Sequence, residues 1–286
     1  MGDFFRYATE LPAGSGFEMF GTIHLVWLFV ILLISVIISV FYRNMPEDTD
    51  DSEGYAGYSY LDKAENKKIS HERKNTFGKS VRNKYFTKRS FRMIIGITMP
   101  VISIYRDAVL VITGHFDRFY LPLHLCGMAL WIGALYCFTR WRFVGVVYVL
   151  LCVPGALSAL IFPDWVDYPL WNYMHIHDFI SHGLIVAWGI CLLVSGEVMP
   201  RWREIWMPVV FGLAGVLILT PVNKWMGTNY WFLSAPSAGS PLVPIMRLTG
   251  ERWYIAGYIL FVDAIVLIWL FIVRAIHSLS ENKHTT

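Results

Sequence analysis

The amino-acid sequence predicts an all-α, polytopic membrane protein of about seven transmembrane helices, and three observations carry that reading. Apolar residues fill 56% of the 286 positions and charged residues only 16%, whereas a soluble domain carries roughly a quarter charged residues. The apolar residues come in runs of about 20, the length that crosses a hydrocarbon core of ~30 Å. Lysine and arginine, finally, crowd into alternate loops, as they do where loops alternate between the two sides of a bilayer.

Residues 1–20 form a short mixed segment without a basic start, a short apolar run and a small-residue cleavage site. No removable signal peptide is expected, so the first span serves as the membrane signal. Span one covers Gly21 to Tyr42 and carries an early polar residue, His24. Residues 43–91 then break the pattern, with an acidic half (EDTDDSEGYAGYSY) before a basic half (KKISHERKNTFGKSVRNKYFTKRSFR). Such a composition cannot build a core, which predicts a flexible charged cytoplasmic loop within a single transmembrane domain spanning 1–286. Its basic half also suits anionic headgroups.

Span two, Met93 to Thr113, contains Pro100 and the adjacent charges Arg106 and Asp107. Neighbours on a helix point about 100° apart, so each of the pair is expected to find a partner elsewhere, such as Asp178 or a lipid phosphate. Span three, Tyr120 to Phe138, opens with LPLHLCG, where Pro122 is expected to loosen the helix beside His124 and Cys126. Span four runs from Phe143 to Phe162 through Pro154 and Gly155. Span five, Pro169 to Val194, carries His175, His177, Asp178 and His182 in its first half. At helical periodicity His175, Asp178 and His182 share one narrow face, with His177 nearly opposite. Span six, Ile205 to Val222, is expected to end at Pro221 and feed a Trp- and Gly-rich connector that suits an outer lid. Span seven, Tyr254 to Ile276, is apolar apart from Asp263.

Orientation follows from the basic residues. The loops of one side hold twelve Lys and Arg between Arg43 and Arg92, then Arg140, Arg142, Arg201, Arg203, Arg274 and Lys283. The other side holds Arg6, Arg118, Lys224, Arg247 and Arg252. The bias places the N-terminus outside and the C-terminus inside, in a multi-pass protein of the cell membrane. At ~1.5 Å of rise per residue, Cys126 lies roughly 9–10 Å below the outer end of its span. With this topology the polar residues of five spans converge on the outer half of the bilayer. Ionisable groups there are costly unless they face a protein interior or a wet cavity, which predicts one shared site. A hydrogen-bonded network gluing helices together is the plainer explanation of the same pattern.

Three chemistries compete for that site. A thiol beside an imidazole works as a nucleophile on an acyl carbonyl, with Cys126 attacking, His182 as base and Asp178, one turn earlier, orienting the ring. A membrane cysteine is most often a small apolar filler, which is the reading for Cys137, Cys152 and Cys191. Cys126 differs through its neighbour His124. All four cysteines sit in apolar runs, so no disulfide framework is expected. His24, His124, Arg106, Asp107, His175, Asn223, Asn229 and Tyr230 are the candidate substrate-binding residues. Metal is the minority reading: HExxH and CxxC are absent, and His175 and His177 oppose one another. No metal or cofactor is assigned, and no nucleic-acid partner is expected.

Four ordered motifs, LPLHLCG, ALSALIFPDWVDYP, HDFISHG and NKWMGTNYWFL, with FGTIHL as a weaker opening, carry a resemblance. The chain resembles the YwaF-type bacterial integral membrane family, related to eukaryotic transmembrane protein 164, from span one to span seven without the charged loop. The resemblance implies a phospholipid acyltransferase that moves a fatty acyl chain from a diacyl phospholipid to a lysolipid without coenzyme A. Carried over, its nucleophile falls on Cys126 and its histidine on His182. The expected partners are therefore membrane phospholipids. A lipid or ester hydrolase using the same site, and a non-enzymatic lipid or small-molecule transporter, are the alternatives.

Overall fold

The computed structural model describes residues 3–46 and 86–282, so most of the predicted charged loop, from 47 to 85, lies outside the described residues. The described residues are helical throughout their ordered elements and contain no strand. Seven helical segments are long and apolar enough to cross a membrane, which makes this an all-α polytopic membrane protein. They comprise α1 (Thr22–Asn44), α2 (Lys88–Ile112), α3 (Leu125–Thr139), a broken span of α4 (Arg142–Val147) and α5 (Val153–Ile161), α6 (Tyr173–Val194), α7 (Trp206–Met226) and α8 (Leu242–Asn282). Connections alternate, so the start of α1, the end of α2 and the start of α3 share one end of the bundle. That end is the site end below, and its opposite the far end.

The broken span and α6 form the buried centre, while α1, α2, α7 and α8 present most of their surface outward. The break has a local cause. Pro154 has no N–H to offer the carbonyl four residues back, and a wider π-turn spans Tyr148–Cys152 just before it. The loosened turn is met from outside: Trp269 of α8 donates its indole N–H to the Val149 carbonyl at 2.9 Å. Alongside, α2 and α3 pack closely because Gly96 has no side chain. A Cβ there would come within 2.7 Å of the Cys137 Cβ.

Two boundaries differ from the sequence expectation. Pro221 lies inside α7, which continues to Met226 and ends at Gly227, left-handed at φ +66°. The helix passes through because proline removes only one bond, to a carbonyl four residues back, and the flanking turns hold. The final helix likewise starts at Leu242 rather than Tyr254 and bends at Gly250, φ +68° and ψ +169°, so half of the expected connector is helical.

The N-terminal segment folds over the site end. The buried Asn172 caps α6 by accepting from the Met174 N–H at 2.9 Å, while its side-chain amide donates to the carbonyls of Asp3 and Arg6. Phe17 donates its N–H to the Val166 carbonyl at 2.9 Å, and the hydroxyls of Tyr120 and Tyr7 meet at 2.6 Å.

Candidate functional site

Cys126 is not set deep within a helix. Residues Leu121 to His124 are non-helical, α3 starts at Leu125, and Pro122 belongs to the turn before the helix rather than to a loosened stretch of it. Proline disfavours helix at the residue before it, which explains why the span begins with a turn. Cys126 is therefore in the first turn of α3, where no side chain caps the N-terminus. The amides of a first turn have no carbonyl behind them and are left to find other acceptors. Gly127 allows this turn to close on Pro122, whose Cα would lie 3.2 Å from any added Cβ. Cys126 is half-buried, whereas Cys137, Cys152 and Cys191 are buried.

Cys126 opens onto a cavity of about 280 Å³ between α3, the broken span, α6, α7 and α8, near the lower edge of the range for small-molecule sites, roughly 300–1,000 Å³. Most of its wall is apolar, with Leu121, Leu125, Leu151, Val216, Ile259 and Val262 among the lining residues. His182 faces the same cavity, and its ring interacts with the Cys126 thiol. Its Nδ1 is 2.7 Å from the backbone carbonyl of Asp178, so Nδ1 carries the proton there and Nε2 keeps its lone pair for the thiol. Trp165 stacks on the ring with centroids 4.9 Å apart and planes at 21°.

Asp178 thus meets His182 through its main chain, while its carboxylate binds Nδ1 of His177 at 2.9 Å. Arg106 and Asp107 differ from expectation: they pair with one another, with Nε and Nη2 at 2.9 and 2.7 Å from Asp107 Oδ1. Successive Cα–Cβ bonds diverge, but the long arginine side chain folds back over that angle. Nη2 also donates to the Tyr120 carbonyl at 2.6 Å, and the guanidinium still lines the cavity. His124 lines it too, packed against Phe119 and Tyr230 with centroids at 4.6 and 5.0 Å, and its Nε2 is buried without a hydrogen-bond partner.

Five other candidates hold the fold together. His24 accepts from the Phe20 N–H at 2.9 Å, and its Nε2 lies 2.7 Å from the Leu160 carbonyl. His175 accepts the Trp27 indole N–H at 2.9 Å, and its Nδ1 lies 3.1 Å from the Tyr168 carbonyl. Asn223 clamps the backbone of Tyr230, accepting its N–H at 2.7 Å and donating to its carbonyl at 3.0 Å. Asn229 closes the following turn by accepting from Ser234 N–H at 2.9 Å and donating to the Ala235 carbonyl at 2.8 Å. Tyr230, fully buried, donates its hydroxyl to the Arg118 carbonyl.

The connector these residues shape covers the cavity. Trp231 and Phe232 adopt left-handed backbone, φ 57° and 56°, and both line it with Ser237, Ser240 and Pro241. Non-glycine residues hold that conformation at a cost of about 1–3 kcal/mol, and such strain collects at ligand clamps. Sequence reasoning missed Asp164 and Trp165, which lie in a short irregular connection without periodicity, although the motif containing them stood out. It left Asp263 unassigned, and Asp263 also lines the cavity. Among the described residues no group of three or more His, Cys, Asp or Glu could hold a metal ion.

A seven-span helical membrane protein with a largely apolar cavity, and a cysteine and a histidine meeting on its wall, is the class that fold and site define. The chain belongs to the TMEM164 family, whose family model matches residues 19–273. That match runs from just before α1 into α8 and takes in the cavity wall and the connector. Searches of curated proteins and of solved structures find no match.

Proposed function

We propose that the chain is a membrane-embedded acyltransferase that moves a fatty acyl group from a phospholipid to a lysolipid or another acceptor. The reading places it in the cell membrane with the site end outside, on the asymmetry of its basic loops. The observation that carries it is the Cys126–His182 pair on an apolar cavity wall, its imidazole held with Nε2 free by the Asp178 carbonyl.

In the first half-reaction Nε2 of His182 takes the thiol proton, and the thiolate attacks the ester carbonyl carbon. The ring of His124, which lines the same cavity with an unpartnered Nε2, is the donor assigned to the developing oxyanion. Collapse breaks the ester C–O bond; the leaving lysolipid oxygen takes the proton from His182, and a thioester remains on Cys126. In the second, His182 removes the proton of an acceptor hydroxyl or amine, which attacks the thioester and returns the thiolate. With water as acceptor the same steps give a hydrolase.

The cavity lining reaches mid-span at Leu151 and Val266. Arg92, Arg140 and Glu197 pack together at the far end, which favours chemistry over passage. Intact-protein mass spectrometry after exposure to native lipids tests the reading. A hydroxylamine-sensitive acyl adduct should form on the parent and be lost in Cys126→Ala. A Cys126→Ala protein that still transfers acyl groups at the parent rate overturns it.

A further inference from the structure

The cavity does not end at Cys126 and His182. Its lining continues to Leu151 and Val266 at mid-span and, on α7, to Gly212. Gly212 falls on the inward stripe of that helix, at helical spacing from the buried Pro208, Val216 and Leu219, so a side chain there would point into the bundle. Yet a Cβ at Gly212 would meet nothing within 4 Å outside its own turn of helix. Other glycines near the cavity admit close packing instead. A Cβ at Gly215 would come within 2.3 Å of the Trp231 ring, and one at Gly155 within 2.9 Å of Leu125 Cδ2. Protein interiors leave few voids, so an inward position facing empty space leaves room for a guest. At ~1.5 Å of rise per residue, Gly212 lies roughly 20 Å along α7 from its site end at Met226, and His182 roughly 13 Å along α6 from Tyr173. The space at Gly212 is therefore deeper in the bundle than the His182 ring.

We propose that the cavity below Cys126 is an acyl-chain pocket whose depth is set by the missing side chain of Gly212, the residue that admits long fatty acyl chains. The inference rests on the Cys126–His182 reading above. A lipid whose ester carbonyl meets Cys126 carries its chain into the space adjoining the thiol. The deeper part of that space is walled by apolar groups, Leu151 of the π-turn, Leu213 and Val216 of α7, and Val262 and Val266 of α8. Asp263 lies one position off that α8 stripe and is half-buried. Bilayer tails are as apolar as this wall, so a chain is selected here by fit rather than by transfer from water. Length is read by where the chain meets an obstacle, and filling position 212 moves the obstacle toward Cys126.

In the test, the full purified chain is incubated with vesicles of phosphatidylethanolamine and phosphatidylglycerol carrying equal parts of lauroyl and oleoyl chains. Intact-protein mass spectrometry then weighs the adducts on Cys126. Parent, Gly212→Ala, Gly212→Leu and Leu217→Phe are compared, Leu217 being exposed on the outward face of α7. The oleoyl-to-lauroyl ratio should fall roughly 5-fold or more in Gly212→Leu, the scale on which overfilling a packed site acts. It should fall less in Gly212→Ala and keep the parent value in Leu217→Phe. Melting temperature gives a reading free of the chemistry. Alanine is the better helix former and its Cβ has room, so Gly212→Ala should melt at or above the parent. If Gly212→Leu does not fold, Gly212→Ala carries both measurements. A parent ratio retained in the Gly212 variants, an equal fall in Leu217→Phe, or a Gly212→Ala that melts below the parent overturns the role of Gly212. Absence of any adduct on the parent instead overturns the Cys126–His182 pair.

Discussion

The two ends of the bundle treat their ionisable groups in opposite ways. At the far end Glu197, 5% exposed, accepts the Tyr42 hydroxyl at 2.5 Å and the Tyr136 hydroxyl at 3.1 Å. Arg92 and Arg140 flank the same carboxylate at 3.6 and 3.8 Å. Arg142 forks onto Glu204 at 2.9 and 2.6 Å. These bonds join α1, α2, α3 and the connection after α6. At the site end, His124 and His177 each keep a buried ring nitrogen without a partner, and Cys126 and His182 share a cavity. Closed networks hold helices in place, whereas groups left open beside a cavity retain capacity for a ligand.

The largest effect should come from the open end. Cys126→Ala should abolish the acyl adduct and lower acyl transfer at least ~10³-fold, the scale of removing a nucleophile. Its melting temperature in detergent should match the parent's; retained transfer would put the chemistry elsewhere. Next comes the closed end, where Glu197→Ala leaves two arginines without their shared carboxylate. Breaking a buried pair in this way costs about 3–5 kcal/mol. Thermal unfolding should show that loss while turnover per folded molecule persists, and an unchanged melting point would mean the network contributes little.

A sharper contrast lies within α6. His175→Ala strands the Trp27 indole N–H and should cost about 1–3 kcal/mol of stability with Cys126 alkylation intact. His182→Ala should do the reverse, suppressing alkylation with little loss of stability. Equal behaviour of the two would erase the distinction between a bonded and an open histidine on one helix.

The smallest effect concerns Glu10, whose carboxyl is held below its ordinary value first by the Tyr7 backbone N–H and then by His115. A depressed carboxylate contributes stability above its unfolded value, about 4.5 here, and loses it as pH falls through the lower folded value. Glu10→Gln should therefore melt slightly below the parent at pH 7 and match it near pH 3. A difference that grows on acidification would contradict the assignment.

Seven spans were legible because hydrophobic length is a local property, and only helices and closed barrels satisfy their backbone in lipid. Cys126 and His182 stood out as candidates, being reactive residue types in apolar stretches, each beside another polar residue, and both line one cavity. Helical periodicity put His175, Asp178 and His182 on one face, but could not tell which of them meets protein and which meets a cavity. His175 is used up by Trp27 and the Tyr168 carbonyl, while His182 borders the cavity, because different neighbours pack against successive turns.

The sequence by itself determined the class, the number of spans and the residue types at the site, since each follows from hydropathy and side-chain chemistry along the chain. Tertiary structure alone decided that α3 begins one residue before Cys126, that Arg106 is spent on Asp107, and that Asp178 serves His182 through its carbonyl. It alone brought Asp164, from an irregular connection, to the same wall as Cys126. Partner choice depends on distances of a few ångströms between segments far apart in sequence, and such distances are set only when helices pack.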